Sequence, residues 1–270
     1  MHSVNFDQTV PADLGYRMPA EWYSHQSTWL SWPNNHDTWP DCLDQVQDTF
    51  LEMVSLLTSQ EKVEILVDDC QSERQVRKKL WTRNAIVDRI RFHLIPTTDA
   101  WIRDYGPGFL LSRICDQEKL AFNHWKFNAW GNKYEELKAD GKIPGQLESV
   151  LQIRRFQAPL VLEGGAIEVN GEGLCLSTEQ CLLNPNRNPS HAKREIEQCL
   201  KDFLGVEKVL WLSQGLERDD TDGHVDNVAR FVNPRTVVCS LQADPGRDSY
   251  RILRDNYQLL TAAKGPNGCP

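Results

Sequence analysis

The chain has 270 residues, 40% hydrophobic and 25% charged, an ordinary globular balance. A formal net charge of −8 excludes charge-driven binding to nucleic acid or to an anionic membrane surface. No apolar stretch approaches the ~20 residues needed to span a bilayer, and the first residues lack the basic-then-apolar pattern of a signal peptide. Eight cysteines, none in a C-x-x-C pair, read as reduced and mostly buried hydrophobes, so the expected compartment is cytoplasmic.

In chain order, residues 28–32 predict a strand stopped by Pro33. Residues 41–59 predict a helix, because Val46, Phe50, Val54 and Leu57 recur at helical spacing. A strand is expected at 62–67, a charged helix at 72–82 and a strand at 90–95. Segments 108–114 and 119–126 pair around a short polar turn. Segments 165–169 and 174–177 form a hairpin across Asn170-Gly171-Glu172-Gly173. Ser190 is placed as N-cap of a helix reaching Leu204. Strands follow at 206–212, 225–232 and 235–241, and a last helix covers 247–263. The class is mixed α/β, with no linker to divide it and no phosphate-binding glycine loop. Strand–helix–strand units recur, but without the matching residues that would establish a repeat.

Three stretches concentrate reactive side chains. D-A-W-I-R-D-Y-G-P-G-F (99–109) crowds Trp101, Arg103 and Asp104 at a strand end, where functional loops commonly sit. The plainer alternative is a local Arg103–Asp104 salt bridge beside a core Trp101. V-L-E-G-G (161–165) sets Glu163 beside two glycines that can turn it into a pocket, against a solvated turn acid. D-D-T-D-G-H-V-D-N (219–227) packs four aspartates and His224 into nine positions. If this segment is extended from Asp222, His224 and Asp226 share one face and Val225 takes the other, an acid/base pair at the edge of an apolar strand. A metal is the rival. The oxygen spacing is not that of a calcium loop, and one histidine without paired cysteines makes a poor zinc site, so no metal is expected. Gathering Asp104, Glu163, Asp220 and Asp226 around one histidine is unfavourable unless a cation joins them. A guanidinium, whose planar fork pairs with carboxylates two at a time, suits them.

The chain resembles the agmatine deiminase family, relatives of bacterial peptidyl-arginine deiminase among the guanidino-group-modifying enzymes. The resemblance rests on G-Y-R-M-P-A-E-W-Y-S-H-Q-S-T-W-L-S-W-P, W-I-R-D-Y-G-P-G-F, F-N-A-W-G-N-K-Y, the run from Leu162 to Pro189 and D-D-T-D-G-H-V-D-N-V-A-R-F-V-N-P, which occur in the family's order. It implies a five-bladed α/β propeller (pentein) of ββαβ units, here one partial domain over 1–270. It implies hydrolysis of agmatine to N-carbamoylputrescine and ammonia through a cysteine adduct, a step toward putrescine, with no cofactor. By matching position Asp104 and Asp226 would grip the guanidinium. Glu163 would join the site, His224 would act as general acid/base, and Asp220, Trp101 and Thr221 would help to hold the substrate. The expected partner is a small cationic guanidine, and homodimers are common in the family. One departure matters. The family's nucleophile lies in a G-G-G-N-I-H-C segment that is absent here, and Cys269 has the wrong context. The chain is therefore expected to be C-terminally shortened and inactive as it stands. Peptidyl-arginine as substrate, or a non-catalytic guanidine-binding role, are the alternatives.

Overall fold

The computed structural model describes residues 9–83, 85–114 and 117–265. The first eight residues, Cys115 and Cys269 lie outside that range. After a two-residue strand β1 (Tyr16–Arg17), S-T-W-L-S forms β2 (Ser27–Ser31). Helix α1 (Leu43–Leu57) follows, with Leu43, Leu51 and Val54 buried along the predicted stripe. Strand β3 (Lys62–Val67), helix α2 (Cys70–Trp81) and strand β4 (Ile90–Leu94) complete a parallel sheet ordered β2-β3-β4. Helix α2 starts two residues earlier than its charge pattern predicts. The Asp69 carboxylate caps it, accepting from Gln71 N at 2.9 Å and Ser72 N at 2.7 Å.

A single turn of helix, α3 (Ile102–Tyr105), then leads into a second sheet. Here β5 (Gly108–Ile114) and β6 (Gln117–Lys126) run antiparallel, with Phe109 opposite Phe122. Helix α4 (Ile143–Leu151), with Pro144 in its first turn, crosses to β7 (Arg154–Val161), parallel to β6. Strand β7 buries Phe156, Ala158 and Leu160 at period two. Pro159 sits inside this strand, and the ladder to β6 accommodates it with a register shift between His124 and Lys126.

The third sheet repeats that plan. A short β8 (Glu168–Val169) pairs antiparallel with β9 (Leu174–Thr178). The one-turn helix α5 (Glu179–Leu182) and then α6 (Lys193–Leu204) cross to β10 (Lys208–Leu212), parallel to β9. An antiparallel pair, β11 (Ala229–Asn233) and β12 (Thr236–Cys239), precedes helix α7 (Ser249–Ala262). The units too faint to match in sequence are thus related in structure: hairpin, helix, parallel return. Apolar side chains of α6 (Ile196, Cys199, Leu200, Phe203 and Leu204) pack against β7 residues in the largest core cluster. Among the described residues no helix is long and apolar enough to cross a membrane.

Three boundaries correct the sequence expectations, and tertiary contacts explain each. The strand expected from 165 begins only at Glu168, because Gly164–Ala166 folds as a 3₁₀ turn against α3. The strand expected from 225 opens with a 3₁₀ turn, Val225–Asn227, and pairs only from Ala229. Ser190 does not cap α6. Ala192 stands at the cap, its N–H satisfied by Glu195 Oε2 at 2.7 Å.

Gly205 ends α6 in the left-handed region, φ 64°, against β1; a methyl there would fall 2.4 Å from the Tyr16 carbonyl oxygen. Gly205→Ala should therefore destabilise the chain by about 1–3 kcal/mol in urea unfolding. An unchanged midpoint would contradict this packing.

Candidate active site

Asp104 lies on α3, and the turn is held from its N-terminal side. The buried Asp99 carboxylate accepts from Ala100 N at 2.7 Å, Thr38 Oγ1 at 2.6 Å and Trp101 Nε1 at 3.0 Å. Trp101 is therefore not core: it stacks on Trp39 with centroids 5.5 Å apart and stays 40% exposed. Nor is there a local Arg103–Asp104 salt bridge. Arg103 pairs with Glu21 at 2.5 Å. Asp104 accepts instead from Gly165 N through Oδ1 and from Trp130 Nε1 through Oδ2, both at 2.9 Å.

Glu163 is fully buried, not a solvated turn acid. Its Oε1 takes the Nε hydrogen of Arg187 at 2.7 Å, and the Arg187 side chain has no exposed surface. Arg187 also donates to Asp222 Oδ2 at 2.7 Å and to the Thr221 carbonyl at 2.9 Å. One guanidinium thereby ties the L-E-G-G turn to the aspartate-rich loop. Nothing in N-P-N-R-N-P beyond a cation in a turn announced this role, and the sequence reading passed over it.

The four aspartates divide. Asp219 receives the Thr221 hydroxyl at 2.7 Å and the Thr221 N–H at 2.9 Å. Thr221 Oγ1 in turn accepts from His224 N at 3.1 Å, so Thr221 orients the histidine's backbone. Asp222, at φ 63°, is committed to Arg187 and to Lys133 Nζ at 2.7 Å. Asp220 is exposed at the rim, 3.3 Å from the Tyr134 hydroxyl. Asp226 turns inward. The chain is not extended here, so period-two alternation is not why His224 and Asp226 share a face; the 3₁₀ turn at 225–227 brings them together.

Their meeting point is Gly165. A methyl on Gly165 would lie 2.5 Å from His224 Nδ1, 2.8 Å from Asp226 Oδ2 and 2.9 Å from Asp104 Oδ1. The imidazole is bracketed, with Nδ1 3.8 Å from Asp104 and Nε2 3.7 Å from Glu163. Its buried Nε2 has no hydrogen-bond partner among the described residues. Burial pulls the His224 pKa down, but contact with Glu163 and the fields of Asp104, Glu163 and Asp226 outweigh it and the net shift is upward. Burial dominates at Asp104 and raises its pKa, against the lowering field of His224.

Glu163, Cys181 and His224 are three donors within 4.8 Å of one another, all buried. Arg187 already lies against Glu163, so a divalent ion added there would face a fixed guanidinium. Cys181 Sγ is 4.0 Å from Glu163 Oε2. Its pKa is driven well above the ordinary thiol value by burial and by the charge of Glu163, which keeps it protonated. Burial likewise pushes the Cys175 and Cys199 thiols up to about 12.

The fold is α/β, and the site gathers buried carboxylates around an imidazole. The sequence pattern of the Porphyromonas-type peptidyl-arginine deiminases matches residues 17–270. The agmatine deiminase of Medicago truncatula is 37% identical, over 97% of this chain and 71% of that protein. The solved agmatine deiminase of Enterococcus faecalis superposes with a TM-score of 0.87 at 33% identity, covering 97% of this chain and 70% of that one. The C. jejuni agmatine deiminase gives 0.77 at 26% identity, over 91% and 70%. The chain belongs to the Porphyromonas-type peptidyl-arginine deiminase family, a family of C–N hydrolases.

Two predictions follow from the charge arrangement. Arg187→Gln strands a fully buried Glu163 and should cost about 3–5 kcal/mol in equilibrium unfolding; a loss below 1 kcal/mol would contradict the pairing. His224, its folded pKa raised, contributes stability that is complete below its unfolded value near 6.5 and is lost as pH rises through the folded value. Melting temperature should therefore fall through that window in the wild type and stay flatter in His224→Gln. Parallel curves would refute the coupling.

Proposed function

We propose that the chain binds agmatine and belongs to the machinery that hydrolyses it to N-carbamoylputrescine and ammonia. The observation that carries this reading is the convergence of Asp104, Asp226 and His224 on the bare face of Gly165. Two carboxylates there can flank a planar guanidinium, each accepting from its N–H fork. Trp101 offers an exposed ring to the substrate's alkyl chain, and Asp220 lies at the rim where a distal ammonium would emerge. That exposed acid favours agmatine over arginine, whose carboxylate it would repel. Thr221 serves the substrate indirectly, by holding His224.

In the covalent route a cysteine thiolate attacks the guanidinium carbon. Ammonia departs with a proton supplied by His224, leaving an S-alkylthiouronium adduct. His224 then takes a proton from water as that water attacks the same carbon, and C–S cleavage returns the thiolate. Glu163 lies 3.7 Å from Nε2 of the imidazole and steadies its cationic form. The attacking thiol is not among the described cysteines in this reading. Cys181, nearest to the site, is buried behind Glu163 and held protonated. The same reading takes the sheets as successive ββαβ blades of one five-bladed propeller domain over 1–270; the repeated hairpin, helix and parallel return support it.

Calorimetric titration with agmatine tests the proposal. Binding is expected with the wild type, weakened about 10- to 100-fold in Asp226→Asn by loss of a charge-assisted pair, with arginine weaker than agmatine. Absence of agmatine binding would sink the substrate assignment. Ammonia release would locate the nucleophile among the chain's own cysteines.

A further inference from the structure

The segment from Asn128 to Tyr134 touches three of the segments that build the site: the Asp104 turn, the Asn186–Arg187 turn and the aspartate-rich loop. Its backbone is left-handed for four residues in succession: φ is 53° at Ala129, 54° at Trp130, 86° at Gly131 and 65° at Asn132. Three of these carry side chains, which rarely adopt that region, so the surroundings must impose the turn. Asn128 Oδ1 accepts from Gly131 N at 2.8 Å, and Asn128 Nδ2 donates to the Asn186 carbonyl at 2.9 Å. Gly131 seats directly on the next loop: a methyl there would fall 2.3 Å from Asn186 Nδ2 and 2.7 Å from Arg187 Nη1.

The contacts radiating from this turn reach three separate segments. Trp130 Nε1 donates to Asp104 Oδ2 at 2.9 Å. Lys133 Nζ bridges Asp222 Oδ1 at 2.7 Å and the Asp220 carbonyl at 2.5 Å. The Trp130 ring is wedged edge-to-face among Phe127 at 5.2 Å, Tyr134 at 6.0 Å and Trp101 at 6.5 Å, which leaves its N–H one direction to point.

We propose that this left-handed turn is a positioning device and Trp130 its positioning residue. The indole N–H fixes one oxygen of Asp104 while the Gly165 amide fixes the other, so the carboxylate presents a set edge to an incoming guanidinium. A carboxylate held at both oxygens needs no reorientation when the ligand arrives. A phenyl ring at this position would fill the same space and leave Oδ2 free to rotate away.

The effect on affinity rests on Asp104 being a guanidinium ligand; the hydrogen bond itself does not. Two measurements separate them. In the ligand-free chain the Trp130 indole ¹H–¹⁵N signal, assigned in the wild type through its neighbours, should move clearly and exchange faster with water in Asp104→Ala. An unmoved signal overturns the proposal. In agmatine titrations Trp130→Phe should weaken binding about tenfold in the wild-type background and about twofold or less in Asp104→Asn. No loss in the wild-type background, or an equal loss in both, also overturns it. If agmatine fails to bind the wild type while the indole signal responds to Asp104→Ala, the substrate reading fails and the positioning role stands.

Discussion

A carboxylate with no exposed surface must be neutralised in place, and the site is organised around how Glu163 meets that demand. Removing an ion from water carries a penalty of several kcal/mol that only close, well-oriented counter-charge offsets. Arg187 provides it at 2.7 Å, and because a guanidinium has a fork of donors it reaches Asp222 and the Thr221 carbonyl at the same time. The loop bearing His224 and Asp226 is thereby docked onto the turn bearing Glu163. Arg187 and Lys133 pair with Glu163 and Asp222, whereas among the described residues no lysine or arginine ion pair reaches Asp104 or Asp226. Burial raises the Asp104 pKa, and at His224 the surrounding carboxylates outweigh burial and raise it as well.

The scaffold contributes strand ends and brief turns, with no long helix reaching into the site. Asp104 rides on one turn of helix after β4, Glu163 follows β7, and His224 caps the 3₁₀ turn before β11 in which Asp226 sits. Each sits where a strand stops, so its backbone is anchored on one side and irregular on the other. Gly165 completes the arrangement by having no side chain at the point where three functional groups approach within 3 Å of its missing Cβ.

The sequence was most legible where one period dominated. The stripe of α1, the strand β3 and the β5–β6 pair stand close to where apolar spacing places them. Strand β7 carries a weaker signal, because Pro159 interrupts the alternation of its buried Phe156, Ala158 and Leu160. Asp104, Glu163, His224 and Asp226 were visible because acids and a histidine stand out beside glycines and apolar runs, and the structure gathers all four. Asp99, Trp130 and Arg187 were not visible, since each acts on a partner distant in sequence or hidden in a turn.

By itself, then, the chain determined which short stretches form strands and helices, which motifs bear the reactive groups, and the family to which they belong; these follow from local spacing and residue type. Only the tertiary structure decided which acids face the pocket. Asp219 is turned into a support by Thr221 of its own loop and Asp222 by Arg187 and Lys133 of other segments, while their neighbour Asp226 faces the pocket. That choice depends on distances between segments up to 89 residues apart, such as Lys133 and Asp222, and no local pattern encodes them.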